Sequence, residues 1–407
     1  MKSALSIAIA ALLVTSLLAM TIVAASPVSQ APDADHGASI DESAFQQERD
    51  DGTTTRLGLD GPTEYTYAES SPDLGATLAI EEDELRNEWA LYEAEHRWET
   101  LSDSERAEIL ERLEDRLQER ITQLETRESE VTAAVRHGDA RATVLLRTQV
   151  RNDREAKVIG EHYQQLSDLA DQVPDYSITV RPTLSELEAH EGPIRDRVFE
   201  TIIASGQNDG SDVFLVEASE SGSVVSAVDE RMYLREATRL DHRDTSLPNQ
   251  LGDRDALLER MDEIYPWAHG DGFTGERSVN EHYSTQLFRA ETVHNHGTLR
   301  FYLDGGTAEV FREIQALRID ELPTEPAGTW ANDSIELSIN ETPRNGPIEV
   351  TATDVETGEP IDGEVTIGDT SVARTGQDGS VWVAPPSTGY DLTVHIDDRS
   401  VTADGLG

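Results

Sequence analysis

The chain has 407 residues, with 80 acidic against 33 basic side chains, a net charge of -47 and no cysteine. This excludes a disulfide scaffold, a thiol nucleophile and Cys-ligated zinc or iron–sulfur centres, and it opposes nucleic-acid binding, because a phosphate backbone would be repelled. Only one apolar stretch is long enough to span a bilayer, which excludes a multi-span membrane protein.

Lys2 precedes residues 4–25, which carry no charge and are mostly Ala, Leu, Ile and Val. Val23-Ala24-Ala25 before Ser26 suits a small-residue cleavage site. Residues 1–25 therefore read as a signal peptide of the general secretory route or as an uncleaved N-terminal anchor. In both readings the chain from residue 26 onward lies outside the cytoplasm. Residues 26–78 are rich in Asp, Ser, Thr, Gly and Pro and read as an acidic flexible linker, with order expected near Tyr65 and Tyr67.

Residues 79–174 read as a helical, coiled-coil-like domain: no proline occurs before Pro174, and the glycines are Gly138 and Gly160. Ser102-Asp103-Ser104-Glu105 is a capping box that starts a helix reaching about residue 136. Leu110, Leu117, Leu124 and Val131 recur every seven residues, as do Leu145, Asn152, Ile159, Leu166 and Val173. The pattern predicts a long antiparallel helical hairpin of about 50 Å, closed near Gly138, with Asn152 setting the register and Leu85, Trp89 and Tyr92 of a preceding helix joining the seam.

Residues 175–322 read as an α+β middle domain. Strands are expected at 176–180, 213–218, 223–228 and 232–240, and helices at 184–204, broken at Gly192-Pro193, and at 253–264. An antiparallel meander of strands 283–293, 298–303 and 308–317 turns at His294-Asn295-His296-Gly297 and Asp304-Gly305-Gly306-Thr307. Residues 323–346 contain three prolines, with Pro347 just beyond, and read as a linker holding one short strand at 335–339. Residues 347–407 alternate in four further strands. There Asp354-Val355-Glu356-Thr357-Gly358-Glu359-Pro360-Ile361, Val365-Thr366-Ile367 and Thr375-Gly376-Gln377-Asp378-Gly379-Ser380-Val381 resemble carboxypeptidase regulatory-like and immunoglobulin-like β-sandwich modules of surface proteins. That resemblance implies a C-terminal Ig-like β-sandwich without catalytic residues. The layout as a whole resembles uncharacterised secreted proteins of halophilic archaea, which implies export and no particular activity.

The chain has no phosphate-binding loop, nucleophile elbow or HExxH motif. Its densest group of metal-ligand types is His269, Asp271, His282, Glu291, His294 and His296; imidazoles and carboxylates suit zinc, but polar residues at an exposed turn explain the same pattern. Asn208-Asp209-Gly210-Ser211-Asp212 resembles half a calcium loop without the distal glutamate and reads as a turn. No catalytic, cofactor-binding or metal residue is assigned. The chain reads as an α+β multidomain protein of the cell envelope with a non-enzymatic binding, adhesion or scaffold role, its partner an envelope protein or a polysaccharide. An extracytoplasmic hydrolase or metal-dependent enzyme in residues 176–322 is the alternative, and a membrane-anchored sensor the third.

Acid is spread over segments that keep their periodicity, and the only lysines are Lys2 and Lys157, the other basic residues being arginine. This fits adaptation to high salt. Carboxylates hold water at the surface, arginine keeps bidentate pairing, and the Debye length shrinks to about 3 Å at 1 M salt, against about 30 Å at 0.01 M. The melting temperature should therefore rise steeply with ionic strength; circular dichroism melts that coincide in dilute buffer and multimolar salt would refute the adaptation.

Overall fold

A computed structural model describes residues 52–204 and 212–407. The apolar segment 4–25 and most of the Asn208–Asp212 turn lie outside the described residues. An eight-stranded antiparallel sheet is formed by β1 (Glu64–Ser70), β2 (Asp212–Ala218), β3 (Gly222–Asp229), β4 (Met232–Arg239), β5 (Phe273–His282), β6 (Leu287–His294), β7 (Gly297–Asp304) and β8 (Val310–Arg318). The strand order is β1-β2-β3-β4-β8-β7-β6-β5. Two meanders thus join where β4 pairs with β8, Leu234 opposite Ala316. In β2, four successive apolar residues from Val213 to Val216 match a strand covered on both faces, and the last three are buried. β5 escaped the sequence pattern because it is an edge strand with little apolar alternation, most of it exposed.

One face of the sheet is covered by α1 (Leu74–Arg97), α2 (Asp103–Arg136), α3 (Ala142–Ala170), α4 (Arg181–Glu188) and α5 (Pro193–Ile203). α2 starts at the capping box: Ser102 N–H donates to Glu105 Oε2 at 2.8 Å and Glu105 N–H to Ser102 Oγ at 3.4 Å. Leu110, Leu117, Ile121 and Leu124 of α2 share a core with Ala156, Ile159, Tyr163 and Leu166 of α3. Asn152 is fully buried there and donates to Leu124 O at 2.8 Å. Towards the sheet, Leu145, Leu146 and Val150 of α3 and Ile194, Val198 and Ile202 of α5 pack on Phe214, Val216, Val225 and Leu234. Leu85, Trp89 and Tyr92 do not join the α2–α3 seam; they are exposed on the outer side of α1. α1 is rotated the other way because Asp83 is buried against α3, where Arg151 Nε donates to it at 2.6 Å, with Ile80 and Leu91 on the same side.

The opposite face carries α6 (Arg254–Ile264) and α7 (Pro266–His269); their Leu257, Met261 and Ala268, with Tyr265 at the joint, cover Phe288, Ala290, Leu299 and Phe301. Beside them lies residues 52–60, part of the stretch read as linker. This segment is ordered by polar contacts that composition does not reveal. Leu57 N–H donates to Glu313 Oε2 at 2.9 Å, Arg235 Nη2 to Leu57 O at 2.6 Å, and Gln315 Nε2 to Thr55 O at 2.9 Å. The order expected near Tyr65 and Tyr67 is that of β1, a strand of the large sheet.

The C-terminal region is a β-sandwich of β9 (Glu325–Ala331), β10 (Ile335–Glu341), β11 (Ile348–Asp354), β12 (Glu364–Ile367), β13 (Thr370–Arg374), β14 (Ser380–Val383), β15 (Tyr390–Ile396) and β16 (Arg399–Leu406). Its sheets run β14-β11-β10-β9 and β13-β12-β15-β16. The proline-bearing stretch 323–346 therefore supplies two strands. Pro326 is tolerated because β9 is an edge strand and the register shifts beside it. Trp382 points out of the sandwich and packs, with Ala384, against Leu215, Tyr233, Leu317 and Ile319 of the large sheet. Tyr67 OH donates to Ala384 O at 2.8 Å, and Ser387 Oγ to Glu217 Oε1 at 2.6 Å.

Leu124→Ala, at a fully buried position, should cost about 2–5 kcal/mol. Leu85→Ala, on the exposed side of α1, should stay within about 0.5 kcal/mol. Denaturant melts at high salt and a chain concentration low enough to keep it monomeric read the difference; equal losses would mean that α1 is turned the other way.

Candidate functional site

A cleft of about 670 Å³ opens between the C-terminal half of α2, the end of α4 and the β4–β8 seam. Its floor is set by strand alternation. β4 and β8 each carry an Arg-Glu dipeptide, Arg235-Glu236 and Arg312-Glu313. Successive side chains leave a strand on opposite faces, so the dipeptides pair crosswise. Arg235 Nη1 donates to Glu313 Oε1 at 2.8 Å on the α6 side, and Arg312 Nη2 to Glu236 Oε2 at 2.5 Å on the helical side.

On the helical side the pair extends into a ladder. Arg195 of α5 donates through Nε to Glu236 Oε2 at 3.3 Å and through Nη2 to Glu128 Oε1 of α2 at 2.8 Å. Its Nη1 donates to His190 O at 2.7 Å, and Ile194 N–H reaches Glu236 Oε1 at 2.8 Å. Gly192 admits this contact, since a Cβ there would collide with the Glu236 carboxylate. All four charged side chains are buried. Burial alone would raise the Glu128 pKa, yet Arg195, His190 and Arg312 together hold it well below the usual carboxylate range. Arg312 Nη1 donates to Thr238 Oγ1 at 2.9 Å, and Arg312 Nε is buried without a hydrogen-bond partner among the described residues.

The mouth is organised by Arg243, whose guanidinium lies 4.8 Å from the Phe311 ring centroid. It pairs with Glu125 at 3.2 Å and Glu186 at 3.0 Å. Burial raises the Glu186 pKa, with Arg243 opposing. Behind the cleft stand Asp60, Asp241 and His242, the one group of three metal-ligand side chains with converging atoms among the described residues. Arg239 Nη2 donates to Asp60 Oδ2 at 2.6 Å and to Asp241 Oδ2 at 2.7 Å, supplying the positive charge there.

The histidine group singled out in the sequence is divided. His269 lies between Asp262 Oδ1 and Thr292 Oγ1, each at 3.0 Å. His294 and His296 share the Trp267 indole, with His296 stacked at 4.6 Å between ring centroids. Burial lowers the pKa of His294, aided by His296, and that of His269, aided by Arg277, each to about 4. His282 is remote from them and bonds Ser185 Oγ at 2.8 Å; Glu291 is held by Arg289 at 3.0 Å and Arg300 at 2.8 Å; Asp271 is exposed. The sequence reading missed the ladder. Its signal was charge inside apolar strands: the two Arg-Glu dipeptides interrupt otherwise strand-like runs.

Glu236→Gln preserves shape but leaves Arg195 and Arg312 undercompensated in the interior. It should cost about 3–5 kcal/mol, read as a fall in denaturation midpoint. A loss below about 1 kcal/mol would mean that water reaches the ladder.

Three family models match the chain. Residues 1–208 match a domain of unknown function, DUF7096; residues 214–323 match a family of unknown function, DUF7094; and residues 327–403 match the archaeal fibronectin-III type-like domain. No curated protein and no solved structure matches. The third match agrees with the archaeal and Ig-like reading of the sequence. Since the first model spans more than half of its length, the chain belongs to the DUF7096 family, and it ends in an archaeal fibronectin-III type-like module.

Proposed function

We propose that this protein is a non-enzymatic binding module of a salt-adapted archaeal cell envelope, exported to the outside, and that its cleft takes a polyhydroxylated ligand such as an envelope polysaccharide. The observation that carries this reading is that arginine already engages three of the cleft's carboxylates, Glu125, Glu128 and Glu186. Arg243 bridges Glu125 and Glu186 at the mouth, and Arg195 and Arg312 engage Glu128 and Glu236 at the floor. A carboxylate held by a guanidinium is a poor base and a poor nucleophile. The cleft thus offers fixed hydrogen-bonding groups, the hydroxyls of Thr122, Thr126, Ser129 and Thr245 among them, beside an aromatic ring. That mixture suits sugar hydroxyls. The fibronectin-III type-like module supports a binding role. Export rests on the uncharged segment 4–25, and salt adaptation on the spread of acid along the sequence.

One observation favours a hydrolase as the second reading. Glu186 has its pKa raised by burial, as a general acid requires.

Calorimetry at multimolar salt with soluble neutral and uronate oligosaccharides tests both readings. The expected result is saturable heat with at least one class, weakened about tenfold or more by Arg243→Met, with no new reducing ends. Reducing ends whose release Glu186→Gln abolishes would establish the hydrolase instead. Absence of heat with every class would remove the cleft as a saccharide site.

A further inference from the structure

α1 has two apolar faces. Ile80 and Leu91 are turned into the protein with Asp83. On the outer side Leu74, Leu78, Leu85, Trp89 and Tyr92 are 74%, 54%, 65%, 68% and 56% exposed. At about 100° per residue these five fall within an arc of about 60°, a straight stripe along the helix. An ordinary surface helix is polar on that side. Trp89 and Tyr92 are already in ring contact, with centroids 5.9 Å apart, and Tyr92 stacks on His96 at 5.8 Å. The aromatic surface is ordered before anything binds it, which lowers the entropy cost of covering it.

The spacing identifies the occupant. Leu78 lies seven residues before Leu85 and Tyr92 seven after; Leu74 lies eleven before and His96 eleven after. A second α1 laid antiparallel across a two-fold axis at Leu85 therefore sets Leu85 on Leu85, Leu78 on Tyr92 and Leu74 on His96, with Trp89 lying over the aliphatic stem of Glu81. This self-complementarity is what an isologous contact requires. The five side chains offer roughly 600 Å² per copy, so two copies reach the lower end of specific interfaces at about 1,200 Å². Glu81, Glu82 and Glu88 border the stripe. Helices that lie on membranes carry Lys and Arg in those places, and an acidic border repels anionic lipid. It also repels a second acidic helix until salt screens it.

We propose that the outer face of α1 is a homodimer contact, pairing antiparallel with α1 of a second copy about Leu85 and forming only at high ionic strength. The absence of cysteine from the chain makes a direct test possible. In the full chain Leu85→Cys places one thiol beside its own symmetry mate. Oxidation with copper phenanthroline in multimolar salt should convert most of it to a disulfide-linked dimer, whereas Val144→Cys, exposed on α3, should stay monomeric. Sedimentation equilibrium of the unmodified chain should show a dimer at high salt and a monomer in dilute buffer. Leu85→Glu should abolish the dimer while its high-salt melting temperature moves by no more than a few degrees. A chain that is monomeric at multimolar salt, a dimer that survives Leu85→Glu, or equal cross-linking of both cysteine variants would overturn the proposal. So would flotation with neutral or anionic vesicles that Leu85→Glu abolishes, which would give the stripe to lipid.

Discussion

Glu128, Arg195, Glu236 and Arg312 are stacked where the helical layer meets the large sheet, and they come from α2, α5, β4 and β8. Two positive and two negative groups cancel. Each charge taken from water costs several kcal/mol, and mutual attraction offsets this only when geometry and hydrogen bonding are good. Such a ladder contributes little net stability compared with an apolar core. Its effect is selective, because any sliding of α2 or α5 over the sheet strands a buried charge. The cleft inherits its shape from this constraint: α2 cannot settle lower on β8 while Glu128 is tied to Arg195.

The same seam acts on the other face. Arg235 and Glu313 sit one residue along from Glu236 and Arg312, so a strand slip of one residue at β4–β8 would unpair both faces together. Glu313 also accepts from Tyr265 OH at 2.7 Å and from Leu57 N–H. Burial raises its pKa while Arg235 opposes the shift. The seam thus ties α6–α7 and the segment 52–60 to one side and the helices to the other. The β-sandwich reaches this face through Trp382, and Arg56 Nη1 donates to Pro343 O and Arg344 O, each at 2.6 Å. Four layers of contact converge on two strands.

Much of the fold was legible where periodicity and burial coincide. The heptad leucines of α2 and α3, the capping box at Ser102 and the inward residues Val350, Val365, Ile367, Leu392 and Val394 of the sandwich each follow a repeat that packing enforces. Periodicity misled at α1, where Leu85, Trp89 and Tyr92 form a good stripe on the outward side; a buried Asp83 outweighed three large apolar residues because it could pair with Arg151. Composition misled at residues 52–78 and 323–346. Few apolar residues and several prolines signal disorder only when no partner supplies hydrogen bonds, and here the partners are distant in sequence. The cleft was illegible for the same reason. The histidine cluster drew attention by residue type, whereas the ladder is assembled from ordinary arginines and glutamates among many.

β1 shows what such distance entails for the growing chain. Tyr67 pairs with Leu215, so a strand made early waits about 150 residues for the edge it joins, and loop closure must precede any gain from the pairing. Its neighbours fare no better, since Arg56 waits for Pro343 and Arg344 in the sandwich. α2 and α3, joined by a short turn, can associate as soon as both have emerged. A strand made before all five helices of its layer is therefore among the last to be fixed. Until then β1 is an unpaired strand whose own alternation, Tyr65 and Tyr67 interleaved with Glu64, Thr66 and Ala68, makes it a candidate for mispairing. Glu64 and Glu69 put an exposed charge near each end of it, the kind of placement that opposes edge-to-edge aggregation.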